Sequence, residues 1–278
     1  MDKIIVTHLH PDIDALTSIW LIKRFLPDWS EAKVQLVPPG ETFRGAPPDD
    51  DPDVLHVDTG MGKLDHHKKR NHTSAAELTL KYVLKGRDIR KLDKQALKRM
   101  VKVVNEIDNG QDIGWPDASS DHYEFMFHNL LLSSHQSQAE ERDFALYLEI
   151  LDRVFQLMKS KVQAEKTLAE KGIIFETKWG KGIAVSSPND QVIYVGQKQG
   201  YSLVVKQEPK YNRVKIYGRF DKGVDLRKVF SALKKKDQGS NWYLHPSRSL
   251  ILHKSRAVPG QTVTNLTLEE VIDILKKA

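Results

Sequence analysis

The 278-residue chain contains no cysteine. That absence removes disulfides, thiolate nucleophiles and Cys-type zinc sites together. Any metal must then be held by His and carboxylate, an N/O shell that suits Mn²⁺, Mg²⁺, Fe²⁺ or Zn²⁺. Long apolar runs are also missing, and none approaches the roughly 18–20 residues that cross a bilayer. The opening stretch MDKIIVTHLHPD has only the run IIVT between Lys3 and His8, which predicts a first β-strand rather than a secretory signal. These absences point to a cytoplasmic chain with no membrane partner. Low-complexity tracts and internal repeats are lacking as well. What is present, 40% apolar and 29% charged residues, is the balance of a globular protein. The length suits one large domain or two ordinary ones.

Charge is unevenly spread. Residues 173–278 carry 19 Lys and Arg against 9 Asp and Glu, whereas residues 1–172 carry 24 against 28. An acidic half joined to a basic half suggests cation binding in one and phosphate binding in the other, with ordinary surface charge as the alternative.

Patterning predicts an α/β fold. Strands are expected at 3–7, 34–38 and 54–58, and helices at 15–25, 74–85 and 92–107, with a Pro- and acid-rich surface loop at 38–53. Strands alternating with helices argue for a parallel sheet with helices on both faces. Residues 119–171 read as mostly helix, broken near 135–142. After Gly172 short strands follow (IIFET, GIAVSS, QVIYVG, YSLVVKQ, RVKIYGRF), with helices at 225–236 and 267–277. The expected division is a metal-binding domain over 1–135, a helical connector over 136–172 and a smaller basic α+β domain over 173–278.

Four local signals carry chemistry. THLHPDIDALTS (7–18) puts His8, Asp12 and Asp14 at the carboxyl end of the first strand, the usual ligand position in such sheets. Three ionisable groups within seven residues are costly to bury unpaired, and a divalent cation relieves that cost; an Asp N-cap beside a surface loop is the plainer reading. VLHVDTG (54–60) ends a second apolar strand in Asp58. LDHHKKRNHTSAAEL (64–78) contributes Asp65, His66 and His67 before a helix. One of two adjacent histidines can coordinate while its neighbour reaches a phosphate; a polar turn is the alternative. VVNEIDNG (103–110) ends a helix at Asp108, which alone would be an ordinary turn residue.

In order, HLHPDIDA, VDTG, DHH and IDNG resemble the motifs of the DHH phosphoesterase superfamily: a strand-end H-x-N-P-D-x-D-A, a strand-end Asp, the DHH triplet and a later Asp. TSAAEL (73–78) resembles the helix start that follows DHH there. The combination is most similar to the Myg-type (melanocyte-proliferating-gene-like) exonuclease branch, over about residues 3–115. The resemblance implies two divalent cations, Mn²⁺ first and Mg²⁺ second. His8 and Asp12 would hold one, Asp14, His66 and Asp108 the other, and Asp58 would bridge both. Catalysis would fall to Asp58, His66 and His67, with His67 on the scissile phosphate and Asp65 orienting a neighbouring ring. Two departures are His10, where the superfamily has Asn, and Ile13, where a small residue often precedes the second Asp. His10 would still contact phosphate or a metal-bound water.

The implied activity is a metal-dependent phosphodiesterase using a two-metal-activated water, a 3′–5′ exonuclease or short-oligonucleotide hydrolase. Its partners would be single-stranded RNA or DNA, or short oligonucleotides, with a homodimer also considered. In the basic half, GSNWYLHPSRS (239–249) offers His245 and Arg248 for phosphate, although the superfamily's GGGH sequence is lacking. Trp242 is either core or a base-stacking ring, and Arg213, Lys215 and Arg219 either a nucleic-acid track or a solvated sheet face. His122, His128 and His135 read as surface or core-edge residues rather than a second metal site. The alternatives are a hydrolase of a small phosphoanhydride or cyclic dinucleotide, and a non-catalytic nucleotide- or RNA-binding regulator.

Overall fold

The β-branched run IIVTH forms β1 (Ile4–His8), paired in parallel with β2 (Lys33–Val37) on one side and β3 (Val54–His56) on the other. The computed structural model describes residues 3–68, 72–134, 140–253 and 264–278. The chain divides into two compact units, Met1–Lys159 and Ser160–Ala278.

In the first unit, helix α1 (Ile13–Phe25) links β1 to β2. Asp12 caps it, accepting from the N–H groups of Asp14 and Ala15, and it stops at Leu26, where Pro27 disfavours a further turn. Every residue from Asp14 to Ile22 is buried, so α1 is a central helix with no solvated stripe. Helices α2 (Ala75–Leu84) and α3 (Lys91–Asp108) pack against it, α3 through Ala96, Leu97, Met100, Val101 and Val104, one face of a 3.6-residue repeat. That core includes Ile5 and Leu55 from the sheet. The opposite sheet face carries Val6, Val37 and Val54, with Phe43 of the 38–53 loop packed against them. Two further helices, α4 (Phe127–Ser134) and α5 (Glu140–Lys171), follow. His135 lies outside the described residues. No helix among the described residues is long and apolar enough to cross a membrane.

The second unit is a six-stranded mixed sheet in the order β4-β5-β6-β7-β9-β8. Its strands are β4 (Ile173–Thr177), β5 (Gly180–Ser186), β6 (Leu203–Glu208), β7 (Arg213–Gly218), β8 (Trp242–Leu244) and β9 (Leu250–His253). Only β5 and β6 pair in parallel, and the crossover between them is helix α6 (Gln191–Lys198). QVIYVG was expected as a strand, and this is a correction. Val192, Ile193, Val195 and Gly196 are buried at helical spacing, and a parallel pair cannot be joined by a tight turn. Gly196 permits the close approach: a Cβ there would sit 2.9 Å from Val204 Cγ2. Helices α7 (Arg227–Lys236) and α8 (Leu268–Lys277) cover the face carrying Leu203 and Val205, while α6 and the end of α5 cover the face carrying Val204.

The sequence reading also missed the β8–β9 hairpin, because Gly, Ser, Asn and Pro dominate 239–249 and each strand is only three or four residues long. Trp242 is 6% exposed and donates from Nε1 to Asp237, so it is a core residue and cannot stack on a base. Lys215 pairs with Asp190 and Arg219 with Asp221; both are half-buried, and Lys215 shares with Val204 the face that α6 covers.

Candidate metal centre

All the predicted ligands of the first unit converge at the carboxyl edge of its sheet. His8 is the last residue of β1, Asp12 the cap of α1, Asp14 in its first turn, and Asp108 the last residue of α3. Asp58 stands two residues beyond β3 at φ 53°, followed by Gly60 and Met61 at 74° and 60°. Left-handed backbone at two non-glycine residues costs of order 1–2 kcal/mol each and is tolerated where tertiary structure fixes it. A Val57–Leu64 bridge closes the loop and delivers Asp65, His66 and His67.

Asp58 lies between two imidazoles. Its Oδ2 is 3.2 Å from His8 Nε2 and its Oδ1 is 3.2 Å from His66 Nε2. Each ring is pinned from behind: His8 Nδ1 is 2.8 Å from the Leu9 carbonyl and His66 Nδ1 is 2.8 Å from the Thr73 carbonyl. A carbonyl only accepts, so both Nδ1 atoms carry protons. Each neutral ring would therefore aim an Nε2 lone pair at a carboxylate oxygen. That arrangement needs a cation between the two atoms, either a proton or a metal. Without metal, the Asp58 carboxylate raises both histidines to about 9. For Asp58 itself burial pushes upward, but His66 and His8 prevail and hold it below the usual carboxylate range.

The other carboxylates shift the opposite way. Burial, then the Asp58 and Asp108 charges, pushes Asp14 well up; burial and Asp58 push Asp12 up. Asp108 rises to about 6, chiefly through burial. Asp14 is fully buried, and its two oxygens accept from the N–H groups of Ala75 and Ala76 at 2.7 and 2.8 Å. The α2 N-terminus thus offsets part of its charge. Asp108 Oδ2 and Asp58 Oδ1 are buried without a well-formed hydrogen bond.

Three sets of ligand atoms lie within 4.8 Å of one another: His8, Asp12 and Asp58; Asp14, His66 and Asp108; and Asp58, His66 and His67. In the third, His67 Nδ1 is committed to Asp65 at 2.7 Å. The first two sets bring imidazole nitrogens together with carboxylate oxygens, the poorly hydrogen-bonded Asp58 Oδ1 and Asp108 Oδ2 among them, a hard N/O donor set that fits divalent cations. His66 approaches Asp14 through Nε2 at 4.0 Å and Asp108 through Nδ1 at 3.7 Å. Asp65 is buried; it also accepts from the N–H groups of His67 and Met61, fixing the turn and the His67 ring.

These groups, except the deeper Asp14, line a cleft of about 490 Å³ walled by Pro39, Gly40, Thr59 and Met61. Sequence reasoning passed over that wall because its residues are chemically plain. Thr59 Oγ1 donates to Glu41 O and accepts from Gly40 N–H, and His56 Nε2 accepts from Phe43 N–H. His56 is buried and its pKa lowered by desolvation; it is a structural anchor of the wall.

The remaining expected contacts fall elsewhere. His10 is exposed at φ 54° and is not part of the cleft lining. His245 and Arg248 share one exposed turn of the second unit, where Ser247 N–H donates to His245 Nδ1. His122 contacts Ser120 and His128 lies 3.7 Å from Asp112; neither belongs to a ligand set among the described residues.

No protein-family model and no curated protein matches the chain. Among solved structures it is similar to a DHH-domain member of a family of ribosomal proteins, at 12% identity and a TM-score of 0.34, over 99% of this chain and 86% of that one. It is also similar to an exopolyphosphatase-related protein from Bacteroides fragilis, at 10% identity and a TM-score of 0.24, over 99% and 91%. Both likenesses are distant, and what the chain does is read from the residues of its cleft.

Proposed function

We propose that the chain is a DHH-type phosphoesterase of the Myg-like kind, a metal-dependent phosphodiesterase that removes nucleotides from the 3′ ends of single-stranded RNA or DNA or cuts short oligonucleotides. The observation that carries this reading is Asp58, set between two histidines whose other ring nitrogens are tied to backbone carbonyls. His8, Asp12 and Asp58 would hold one divalent cation, and Asp14, His66 and Asp108, with Asp58 shared, the second. When bound, such a pair supplies Lewis acidity that lowers the pKa of water and neutralises phosphate charge.

The protein's own share is positioning. Four carboxylates nearly balance two dications, so an anionic substrate is admitted. The carbonyls of Leu9 and Thr73 fix ring orientation and tautomer before substrate arrives, avoiding reorganisation in the reaction. Asp65 holds the half-exposed His67 through Nδ1, which leaves Nε2 to hydrogen-bond the scissile phosphate. His245 and Arg248 of the second unit are assigned to phosphate binding, and His10 to a peripheral contact.

Hydrolysis of a small phosphoanhydride or cyclic dinucleotide is the second reading. It is favoured by the absence, among the described residues, of Lys and Arg from the lining of the cleft. The deciding experiment offers end-labelled RNA, DNA, a cyclic dinucleotide and pyrophosphate to the purified chain with Mn²⁺. Mononucleotide release from the oligomers, lost in Asp58→Ala and Asp12→Ala, is expected. Turnover of the small substrates alone would select the second reading, and oligonucleotide binding without turnover under any divalent ion would leave a binding regulator.

A further inference from the structure

The first unit holds another pocket, of about 200 Å³ and open to solvent on one side, built on the same helix ends as the carboxylates. Ile13, between Asp12 and Asp14, lines it from the start of α1, and Ile107, beside Asp108, lines it from the last turn of α3. Three of the chain's five methionines, Met100, Met126 and Met158, form much of the remaining wall. Methionine is flexible and polarisable, and adapts to the outline of whatever it contacts. Trp115 completes the wall, meeting the ring of His128 edge-on at 6.3 Å.

The lining decides the ligand's chemistry. Among the described residues His128 is its one ionisable member, and its Nε2 already faces Asp112 at 3.7 Å. A phosphate, nucleotide or metal ion would lose its hydration there without gaining a partner. A sealed apolar cavity of about 150 Å³ takes up benzene; this pocket, open on one side, has room to seat one ring or a fused pair.

We propose that the cavity binds a small uncharged aromatic molecule of one or two rings, and that its occupancy adjusts the carboxylates carried by α1 and α3. The binding goes beyond the phosphoesterase reading, whereas the coupling rests on the metal-centre part of it. Close-packed interiors transmit such changes because they compress little. Seating a ring against Ile13 and Ile107 therefore reaches Asp12, Asp14 and Asp108 through one peptide unit each.

The test titrates the full chain with indole by calorimetry and saturation-transfer NMR, then repeats a Mn²⁺ titration with and without indole. Saturable one-to-one binding is expected. It should weaken by about tenfold or more in Met126→Trp, where the larger ring fills the space, and in Val103→Phe, which narrows a different wall and serves if the first variant fails to fold. Indole should shift the Mn²⁺ affinity of the unmodified chain about fivefold and leave that of the filled variants unchanged. No saturable binding up to the solubility of indole, or equal binding in a folded variant, overturns the site. Unmoved Mn²⁺ affinity at full occupancy overturns the coupling. Indole binding in a protein that hydrolyses no phosphoester would remove the hydrolase reading and leave the ligand site standing.

Discussion

Asp58 concentrates the chemistry of the cleft in one side chain, because each of its oxygens faces a different histidine. Asp58→Asn keeps the volume and removes the charge. Mn²⁺ affinity is expected to fall by at least about 100-fold, and phosphodiester hydrolysis with it; calorimetry showing undiminished binding would contradict the shared-ligand assignment. Metal must also displace the protons that Asp58 holds on His8 and His66, both raised to about 9, and in more acid solution the one that burial holds on Asp108, raised to about 6. At about pH 7.5 Mn²⁺ binding should therefore release protons, and affinity should climb with pH until about 9. Apparent enthalpies that do not vary with the ionisation heat of the buffer would refute this. Asp65 acts through another residue. Asp65→Asn weakens the hold on His67 Nδ1 and should lower kcat about 10- to 100-fold with Mn²⁺ affinity retained.

At the scale of elements, the first unit was largely legible. Strands β1 to β3 and helices α1 to α3 lie within a few residues of where β-branched runs and 3.6-residue periodicity predict them. Local windows carry that information because each element meets the core with one regular face. The second unit was less legible. QVIYVG is rich in β-branched and aromatic residues, but its place between two parallel strands makes it a helix, and tertiary pairing overrides propensity. The cleft wall depends on another close approach, at Gly60. A Cβ there would lie 2.9 Å from Thr42 Cγ2 and 3.3 Å from Glu41 O, on backbone at φ 74°. Gly60→Ala should cost about 2 kcal/mol in urea unfolding, from the left-handed penalty and the clash together. It should also raise KM more than it lowers kcat, because the displaced segment is wall and not ligand. An unchanged urea midpoint would show that the loop yields freely.

For the whole molecule, pH sets the stability of the metal-free chain. His8 and His66 rise on folding from 6.5 to about 9, and Asp108 from 3.8 to about 6, so the folded state binds more protons than the unfolded one. Their contribution is complete below the lower values, and is lost as pH rises through 6 and then through 9. Asp58, depressed by the same pairs, works in reverse and withdraws its support only in strong acid. Thermal melts without metal should fall steadily from about pH 6 to 9, and added Mn²⁺ should raise them by a margin that grows with pH. A metal-free melt rising over that range would count against the paired histidines. The uneven charge belongs to this scale too, with a basic excess over residues 173–278 and an acidic one over 1–172.

By itself the sequence determined the inventory: no thiol, acids at the ends of apolar strands, a DHH triplet before a capped helix and a carboxylate closing another. These are properties of short windows, where residue type and spacing suffice. Only the tertiary structure decided that His8 and Asp58, fifty residues apart, meet atom to atom, that the carbonyls of Leu9 and Thr73 turn both rings inward, and that Ala75 and Ala76 satisfy Asp14. Those contacts depend on how α1, α2 and α3 settle against one sheet edge, and packing between distant segments leaves no periodic trace in the chain.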